Sequence, residues 1–580
     1  MIWLMQSRDT NSLESIISRS RDLARAGEHK QAYKLCRKAV SGGASHPDLY
    51  LIYGVCAYGS GKSSEAIKIL RKSLRLWPGT KDGLFNLGFI LLSCGDAEGA
   101  IEPLIRLLDD HPDYPGGQSN LAAAYFSCAQ FDLATQACLE AIRLATEDLE
   151  KAELYNLLGS IYREDERNEQ SGKAFRKALE LNPNYVDALA NLCLMLEESA
   201  QIEAAFKASA EGRERFAGDH RFSLVLAKCE RRRGDGREAV ERLSAINLEG
   251  EADAFKAQVY YEMGRLWDRQ DAAREAFDCF TKANDILAET KPADIKKGFY
   301  PKILKASSKF YASNDFPSGK ADIADGGLIP GFLIGFPRSG TTLLELTLAG
   351  HPHVAVMEEP PLIQELYTHI TGADIPYPGV LDRLDAQDIA KLRAQYFERS
   401  ALYTDLADKM VLMNKHPLDT VFLPVIQAVF PDAKIIFSAR HPVDVCLSCW
   451  MQEFQLNEGN VNFLSLQTTA DFYAACMDLW MHFQSEAGME HVIISYEDVV
   501  DNHQETASKA IKFLGLDWSD GVLDHMETAK SMPRVNTASY HQVTEPIYAR
   551  SKNRWHKYRQ NLAPILPKLE RYVEHFGYDL

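Results

Sequence analysis

A repeat with a period of about 34 residues is the feature that most restricts how this chain of 580 residues can fold. Segment 82–112 ends at Pro112, 34 residues after Pro78, and segment 152–183 repeats its order of small and apolar residues. A small residue such as Gly88 lets two helices approach closely, and a proline ends a helix. Each unit would leave an apolar face that only its neighbour can cover, so we expect the units to stack.

The order of residues in these units resembles the tetratricopeptide repeat, a helix–turn–helix unit of about 34 residues. We count about eight such units across residues 12–289, which predicts an α-solenoid of helical hairpins. Such arrays commonly form a concave groove, and we expect a peptide or protein partner there. The alternative role is a platform for packing or for dimerisation, and a homodimer would fit that role.

The pattern changes after the repeats. Residues 290–330 mix Lys, Pro, Gly and Ser, which is typical of a linker with little regular structure. From residue 331 to residue 580, apolar runs alternate with helical segments; the runs are GFLIGF, MVLMNK, KIIFSAR and HVIISYEDVV. This alternation predicts an α/β domain with a parallel sheet, helices on both faces, and a ligand site at the carboxyl ends of the strands.

Composition and charge argue against several classes of protein. The formal net charge of −17 disfavours a general nucleic-acid binder, because neutralising phosphates requires a basic surface. The eleven cysteines lack the spacing of a zinc site, so we expect free thiols in a reducing compartment. The apolar start is short and no later run reaches about 18 apolar residues, so we expect no transmembrane segment and a cytoplasmic location.

One short segment, GFPRSGTT at 335–342, has the form of a phosphate-binding loop between a strand and a helix. Walker loops carry lysine where this chain has Thr341, and the basic residue Arg338 lies inside the loop instead. No predicted strand ends in an aspartate that would help to hold magnesium. A nucleotide kinase or NTPase is therefore the less favoured alternative, and we expect no metal ion.

A second basic residue, Arg440, closes another predicted strand, and Ser448 follows it eight residues later in a predicted helix. These two side chains can converge on one anion at the edge of the sheet. Two anion sites at two strand ends indicate a ligand that carries phosphates at separate positions.

Four segments, GFPRSGTT, ARHPVDVCLS, ISYED and RSKNRWHKY, resemble the nucleotide-binding elements of sulfotransferases, whose donor is 3′-phosphoadenosine 5′-phosphosulfate (PAPS). The resemblance is closest to tyrosylprotein sulfotransferases and covers roughly 330–580; repeats followed by this domain also resemble a bacterial family. It implies that the loop binds the 5′-phosphosulfate and that Arg440 and Ser448 bind the 3′-phosphate, without a metal. The implied donor-binding residues are Arg338, Ser339, Gly340, Thr341, Thr342, Arg440, Ser448, Tyr496, Ser539 and Arg554.

The resemblance also implies the catalytic residues. It places the general base at Glu359, with the adjacent Glu358 as second choice, and it places Lys415 and Arg338 on the transferring sulfuryl group. We expect the neighbouring carboxylate to raise the pKa of Glu359. Tyrosine-modifying members carry an arginine where this chain has Pro361, which puts a tyrosine acceptor in doubt.

The predicted activity is transfer of a sulfuryl group from PAPS to an acceptor hydroxyl by in-line displacement. Protein tyrosine, a carbohydrate, a lipid and a small metabolite all stay open as acceptors. A repeat scaffold that binds partners without catalysis is the other alternative.

Overall fold

The fold is known from a computed structural model, in which two compact units divide the chain into Met1–Cys229 and Glu230–Leu580. The structure describes residues 12–234, 236–292, 295, 298–311, 327–371, 376–486, 488–531, 547 and 551–580. The first unit is helical. The helices are α1 Leu13–Arg25, α2 His29–Ser41, α3 Pro47–Gly59, α4 Ser63–Leu76, α5 Lys81–Ser93, α6 Ala97–Asp110, α7 Gly117–Ser127, α8 Phe131–Leu144, α9 Asp148–Glu164, α10 Asn168–Leu181, α11 Val186–Glu198, α12 Ile202–Arg215 and α13 Arg221–Arg233.

Close approach of paired helices explains the small residues of the repeat. A Cβ atom added to Gly88 in α5 would lie 2.6 Å from Cγ of Leu104 in α6. The same holds for Gly159 in α9, where a Cβ atom would lie 2.6 Å from the ring of Phe175 in α10. Because real Cβ contacts are longer, these positions require glycine at this helix separation. The predicted helical repeats are confirmed.

The turn inside each hairpin is marked by one residue in the left-handed backbone region. Successive turns lie 34 to 37 residues apart along the described chain, and a glycine occupies half of them. The residues are Gly27, Gly61, Gly95, Ala129, Glu166, Ala200, Gly234 and Asp271. Left-handed geometry ends the first helix and lets the chain turn back, so the repeat period appears as a backbone period.

The second unit begins with helices and continues into a five-stranded sheet. The helices that precede the sheet are α14 Arg237–Ser244, α15 Asp253–Arg269, α16 Ala273–Thr290 and α17 Phe299–Tyr311. Helix α17 corrects the sequence analysis, which expected little regular structure there; its buried Tyr300, Ile303 and Leu304 pack into the core of the unit. The domain bounds 12–289, 290–330 and 331–580 stay a prediction.

The sheet has the order β2-β3-β1-β4-β5, and every neighbouring pair is parallel, as predicted. The strands are β1 Ile329–Gly335, β2 Val354–Glu358, β3 Val411–Lys415, β4 Lys434–Ala439 and β5 His491–Ser495. Alternate residues face two cores: Phe332 and Ile334 lie in one, and Leu333 lies in the other. Both faces are therefore covered, as is usual for a parallel sheet.

Helices cover the sheet and connect its strands. They are α18 Thr341–Ala349, α19 Leu362–Thr371, α20 Ala386–Ser400, α21 Leu423–Val429, α22 Pro442–Trp450, α23 Leu466–Glu486, α24 Tyr496–Asp501, α25 His503–Phe513, α26 His525–Ser531, α27 Arg559–Leu562 and α28 Leu566–His575. Short 3-10 helices occupy Gly379–Arg383, Pro417–Phe422, Asn460–Phe463, Asp520–Leu523 and Arg554–Tyr558. In the described ranges, no helix has both the length and the apolar content needed to span a bilayer.

Two details of this region differ from the sequence expectation. Strand β2, with the sequence VAVME, was not among the predicted strands, although its first four residues are buried. The run HVIISYEDVV is a strand only as far as Ser495, whose side chain accepts a hydrogen bond from the backbone of Asp498 and starts α24. A serine at that position caps a helix, and this local signal ends the strand.

Candidate active site

The carboxyl ends of the five strands form one row in which most of the predicted site residues lie. Glu359 follows β2, Lys415 ends β3, the loop 336–340 follows β1, Arg440 follows β4 and Tyr496 follows β5. Because parallel neighbours lie about 4.8 Å apart, the row from β2 to β5 is about 19 Å long. An extended ligand of about this length can therefore lie along the row.

The predicted phosphate loop leads directly into α18. Arg338 has a φ of 70°, Gly340 has a φ of 99°, and Thr341 begins the helix. The first amides of a helix have no partner within the helix and favour an anion. The hydroxyl of Ser339 is buried and has no hydrogen-bond partner in the part of the chain that is described. These features fit a phosphate or sulfate group.

The loop packs closely against the start of α24, which follows β5, at Gly340. A Cβ atom on Gly340 would lie 2.7 Å from Cδ2 of Tyr496, so the aromatic ring requires glycine there. The guanidinium carbon of Arg440 lies 4.8 Å from the centre of the same ring. Tyr496 therefore joins the loop to Arg440.

The two arginines of the site are also linked. Nε of Arg338 donates to Oγ of Ser448 at 3.1 Å, and Nη1 of Arg440 donates to the carbonyl of Arg338 at 2.9 Å. Nη2 of Arg440 donates to the carbonyl of Ser551 at 2.5 Å, and its Nε has no partner in the described ranges. The two hydrogen bonds of Arg440 go to backbone carbonyls and not to a carboxylate, and a guanidinium held in this way can bind an anion. We name Arg338, Gly340, Arg440, Ser448 and Tyr496 the anion cluster.

Lys415 is the centre of a buried charged group at the other end of the row. Its Nζ lies 2.9 Å from Oε2 of Glu345, 2.9 Å from Oε1 of Glu359 and 4.0 Å from Oε1 of Glu358. Burial by itself would lower the pKa of Lys415, but the three carboxylates raise it above its ordinary value. The ammonium therefore stays charged at neutral pH although its side chain is fully buried.

Glu359 is held at the rim of this group. Its backbone N–H donates to the carbonyl of Lys415 at 2.8 Å, and its φ is 45°, in the left-handed region. For a residue other than glycine, such geometry costs about 1–3 kcal/mol and is often found at functional sites. The side chain is 41% exposed, which leaves the carboxylate accessible.

The pKa of Glu359 corrects one expectation. Burial raises this pKa, but the ammonium of Lys415 and the imidazole of His416 outweigh burial and hold it below its ordinary value. Nζ of Lys415 lies only 2.9 Å from the Glu359 carboxylate, so attraction to the ammonium dominates. The prediction of a raised pKa is wrong, and Glu359 is ionised at neutral pH.

Glu345 was not predicted from the sequence. It lies in α18, its side chain is 1% exposed, and burial is the main reason that its pKa is raised to about 8. A charged residue inside the apolar run LLELTL could have indicated a buried ion pair. The carbonyl of Ser551 could not have been found, because a backbone acceptor leaves no pattern in the sequence.

Two predicted donor contacts lie elsewhere or outside the described residues. Nη2 of Arg554 lies 2.8 Å from Oδ2 of Asp268 in α15, and the hydroxyl of Tyr558 donates to Oδ1 of Asp268 at 2.7 Å. The structure thus places the guanidinium of Arg554 on a carboxylate, and its contact with a donor stays a prediction. Ser539 lies outside the described residues.

Thr341 and Thr342 are buried at the start of α18.

Helix α16 also contacts α22, the helix that carries Ser448. Nδ2 of Asn284 in α16 donates to the carbonyl of Trp450 in α22 at 3.0 Å, and the ring centres of Phe277 and Trp450 lie 4.6 Å apart.

In the described ranges, no group of three or more His, Cys, Asp or Glu side chains could hold a metal ion. The eleven cysteines are free thiols.

Family comparisons agree with the two parts of the chain. Residues 330–520 match the family model described as "Sulfotransferase family". Residues 152–185 match the model described as "Tetratricopeptide repeat". A solved structure of MamA from Desulfovibrio magneticus RS-1 is 22% identical over 30% of this chain and 96% of its own, with a TM-score of 0.28.

Three relatives illustrate the range of similarity. An uncharacterized protein of Aquifex aeolicus is 22% identical over 73% of this chain and 56% of its own length. The protein-tyrosine sulfotransferase of Drosophila melanogaster is 26% identical over 39% of this chain and 46% of its own. Protein-tyrosine sulfotransferase 2 of Gallus gallus is 27% identical over 43% of this chain and 69% of its own length. The matches span about half the length of the first two relatives.

The phosphate loop, the parallel sheet and the family match point to the same conclusion. They support a sulfotransferase-family domain in the second unit, and the repeat match agrees with the helical hairpins of the first unit. This chain therefore combines tetratricopeptide repeats with a domain of the sulfotransferase family.

Proposed function

We propose that the protein transfers a sulfuryl group from PAPS to an acceptor hydroxyl. One observation carries the proposal: on a single sheet edge, the ion pair of Lys415 and Glu359 lies on one side of the phosphate loop and Arg440 lies on the other. This order suits a donor whose reactive sulfate points toward the ion pair and whose second phosphate points toward Arg440.

In the proposed reaction, Glu359 accepts the proton of the acceptor hydroxyl while the hydroxyl oxygen bonds to sulfur. The bond between sulfur and the bridging oxygen of the 5′-phosphate breaks, and its electron pair stays on that oxygen. Lys415 and Arg338 stabilise the negative charge that develops there. The products are the sulfated acceptor and adenosine 3′,5′-bisphosphate.

The state of Glu359 suits this role. Its pKa is held below the ordinary value, so the carboxylate is free of its proton at neutral pH. Uptake of the acceptor proton removes the negative charge that faces Lys415 at 2.9 Å. The ammonium of Lys415 then no longer interacts with an anionic Glu359 when negative charge grows on the leaving oxygen. Protonation of Glu359 therefore makes the ammonium more available to stabilise that charge.

The assay is transfer of radiolabelled sulfate from PAPS into an extract of host cells, followed by identification of the labelled product. The unsulfated form of that product then serves as the acceptor in kinetic measurements, which compare Glu359→Gln with the matched control Glu358→Gln. We expect Glu359→Gln to lower kcat about 10²- to 10⁴-fold and Glu358→Gln to lower it less than about tenfold. Equal losses would remove Glu359 as the base, and no transfer by the wild-type protein would refute the activity.

A second experiment tests how the donor is held. Wild-type protein and Arg440→Met are compared with PAPS and with adenosine 5′-phosphosulfate, which lacks the 3′-phosphate. Loss of a charge-assisted contact of this kind costs about 1.5–3 kcal/mol, so we expect wild type to prefer PAPS at least about tenfold and the variant to lose that preference. Preference for ATP with magnesium would instead support a nucleotide kinase.

The acceptor and the partners are part of the proposal. Two relatives are named protein-tyrosine sulfotransferases, which favours protein tyrosine, whereas Pro361 occupies the position of an arginine in the tyrosine-modifying family. A carbohydrate, a lipid or a small metabolite fits the same chemistry. We propose that the repeats bind a peptide or protein partner, that the protein acts in the cytoplasm, and that a homodimer is one arrangement to test.

A further inference from the structure

Glu345 links the phosphate loop to Lys415. It lies in the first two turns of α18, the helix that begins where the loop ends, and residues 341–348 of this helix are all buried. Its Oε2 lies 2.9 Å from Nζ of Lys415. Its Oε1 is buried and has no hydrogen-bond partner in the described part of the chain.

The two carboxylates that hold Lys415 differ in access. The side chain of Glu359 is 41% exposed, whereas that of Glu345 is 1% exposed. An acceptor hydroxyl can therefore reach Glu359 and cannot reach Glu345. Glu345 cannot act as the base, but it can fix the position of the ammonium from the inner side.

We infer that Glu345 is a positioning residue that holds Lys415 at the sheet edge when Glu359 takes up the acceptor proton. The inference rests on the proposed sulfuryl transfer. A lysine side chain has many rotamers, and fixing it costs conformational entropy. Once Glu359 takes up the proton, the Glu345 carboxyl group, 2.9 Å from Nζ, still holds the ammonium from the inner side. That contact keeps the ammonium at the end of β3, next to the strand that leads into the phosphate loop.

The protonation state of Glu345 adds a second consequence. Its pKa is raised to about 8, chiefly by burial, and the titratable groups that face it are Lys415, Glu358 and Glu359. As a neutral acid, Glu345 accepts a hydrogen bond from Lys415 without neutralising its charge. As an anion, it would attract the ammonium away from the leaving oxygen. The neutral form is therefore the effective one.

The test compares three variants with the acceptor identified in the transfer assay. Glu345→Leu removes the acceptor atom, Glu345→Gln keeps it without charge, and Thr347→Val is the control, a buried polar residue of the same helix whose hydroxyl contacts Leu343 and His503. We expect Glu345→Leu to lower kcat about 10- to 100-fold with the KM for PAPS within about threefold. Glu345→Gln and Thr347→Val should stay within about threefold at pH 7.

The pH profile separates positioning from packing. Wild-type kcat should fall as the pH rises above about 8, and the fall should be absent in Glu345→Gln, whose amide does not titrate. If Glu345→Leu does not fold, the pH profiles of the wild-type protein and Glu345→Gln test the inference without it. Unchanged kcat in Glu345→Leu, or equal losses in Glu345→Leu and Thr347→Val, would overturn the inference while transfer itself stands. If wild-type protein transfers no label, the proposed function and this inference both fall.

Discussion

Replacing Lys415 with methionine should destabilise the second unit in a way that depends on pH. The substitution keeps the length of the side chain but removes the cation that lies 2.9 Å from both Glu345 and Glu359. Removing one partner of a buried ion pair costs about 3–5 kcal/mol when the other partner must stay charged. Glu345 avoids this cost at pH 7, because its pKa of about 8 keeps it mostly protonated in the wild-type protein as well.

The magnitude follows from the pKa of Glu345. In the wild-type protein this pKa is about 8, and Lys415 is the main group that lowers it, so it is higher in the variant. Unfolded chains have released this proton above pH about 4.5. Both proteins therefore lose stability as the pH rises toward 8, but above 8 only the variant still binds the proton in the folded state. Its free energy of unfolding should then fall by a further 1.4 kcal/mol or so per pH unit.

Guanidinium unfolding at pH 6, 7 and 9, followed by tryptophan fluorescence, measures this effect. Trp267, Trp450, Trp480, Trp518 and Trp555 all lie in the second unit and account for five of the seven tryptophans. The signal therefore reports mainly on that unit.

Two further proteins complete the experiment. Lys512→Met, at an exposed position of α25, is the matched control and should show no change in its effect between pH 7 and pH 9. The double variant Lys415→Met, Glu345→Gln should lose the extra pH dependence, because no carboxylic acid remains at residue 345. A cost of Lys415→Met that is the same at pH 7 and pH 9 would refute this reasoning.

Two predictions concern packing away from the site. Gly88→Val should destabilise the repeats by about 1–3 kcal/mol, because Leu104 leaves no room for a side chain, whereas Gly79→Val, with open space, should change stability by less than about 0.5 kcal/mol. Equal effects in urea unfolding followed by circular dichroism would contradict the packing argument. Asp268→Asn should remove the ion pair with Arg554 and lower the free energy of unfolding. A double-mutant cycle with Arg554→Gln should give a coupling energy of about 1–3 kcal/mol. A coupling near zero would show that the ion pair does not stabilise the unit.

Local patterns were enough to predict both architectures. The 34-residue spacing of Pro78 and Pro112 follows directly from the length of one helical hairpin, so it is visible without a structure. Alternating strands and helices require a parallel sheet, whose carboxyl edge collects the residues that follow each strand. The positions of Arg338 and Arg440 on this edge were predicted for that reason, whereas Lys415 was predicted from the resemblance to sulfotransferases.

Contacts between distant segments could not be predicted in the same way. Ser448 was expected beside Arg440, yet its hydroxyl accepts from Arg338, and Arg440 instead donates to the carbonyls of Arg338 and Ser551. Arg554 contacts Asp268, which precedes it by 286 residues and which no pattern indicated, and its contact with the donor stays a prediction. Which of several nearby partners a long side chain contacts depends on packing that no short pattern records.

The sequence by itself determined the helical repeats, the parallel sheet and the row of strand ends, because each depends on spacing within a few tens of residues. Only the tertiary structure decided the electrostatics of that row. Glu345, Glu359 and Lys415 come from three separate segments, and their charges interact strongly because the fold excludes water from Lys415 and Glu345. The pKa of Glu359 is therefore lowered where its sequence neighbour suggested the opposite, and Glu345 enters the site from the interior of a buried helix.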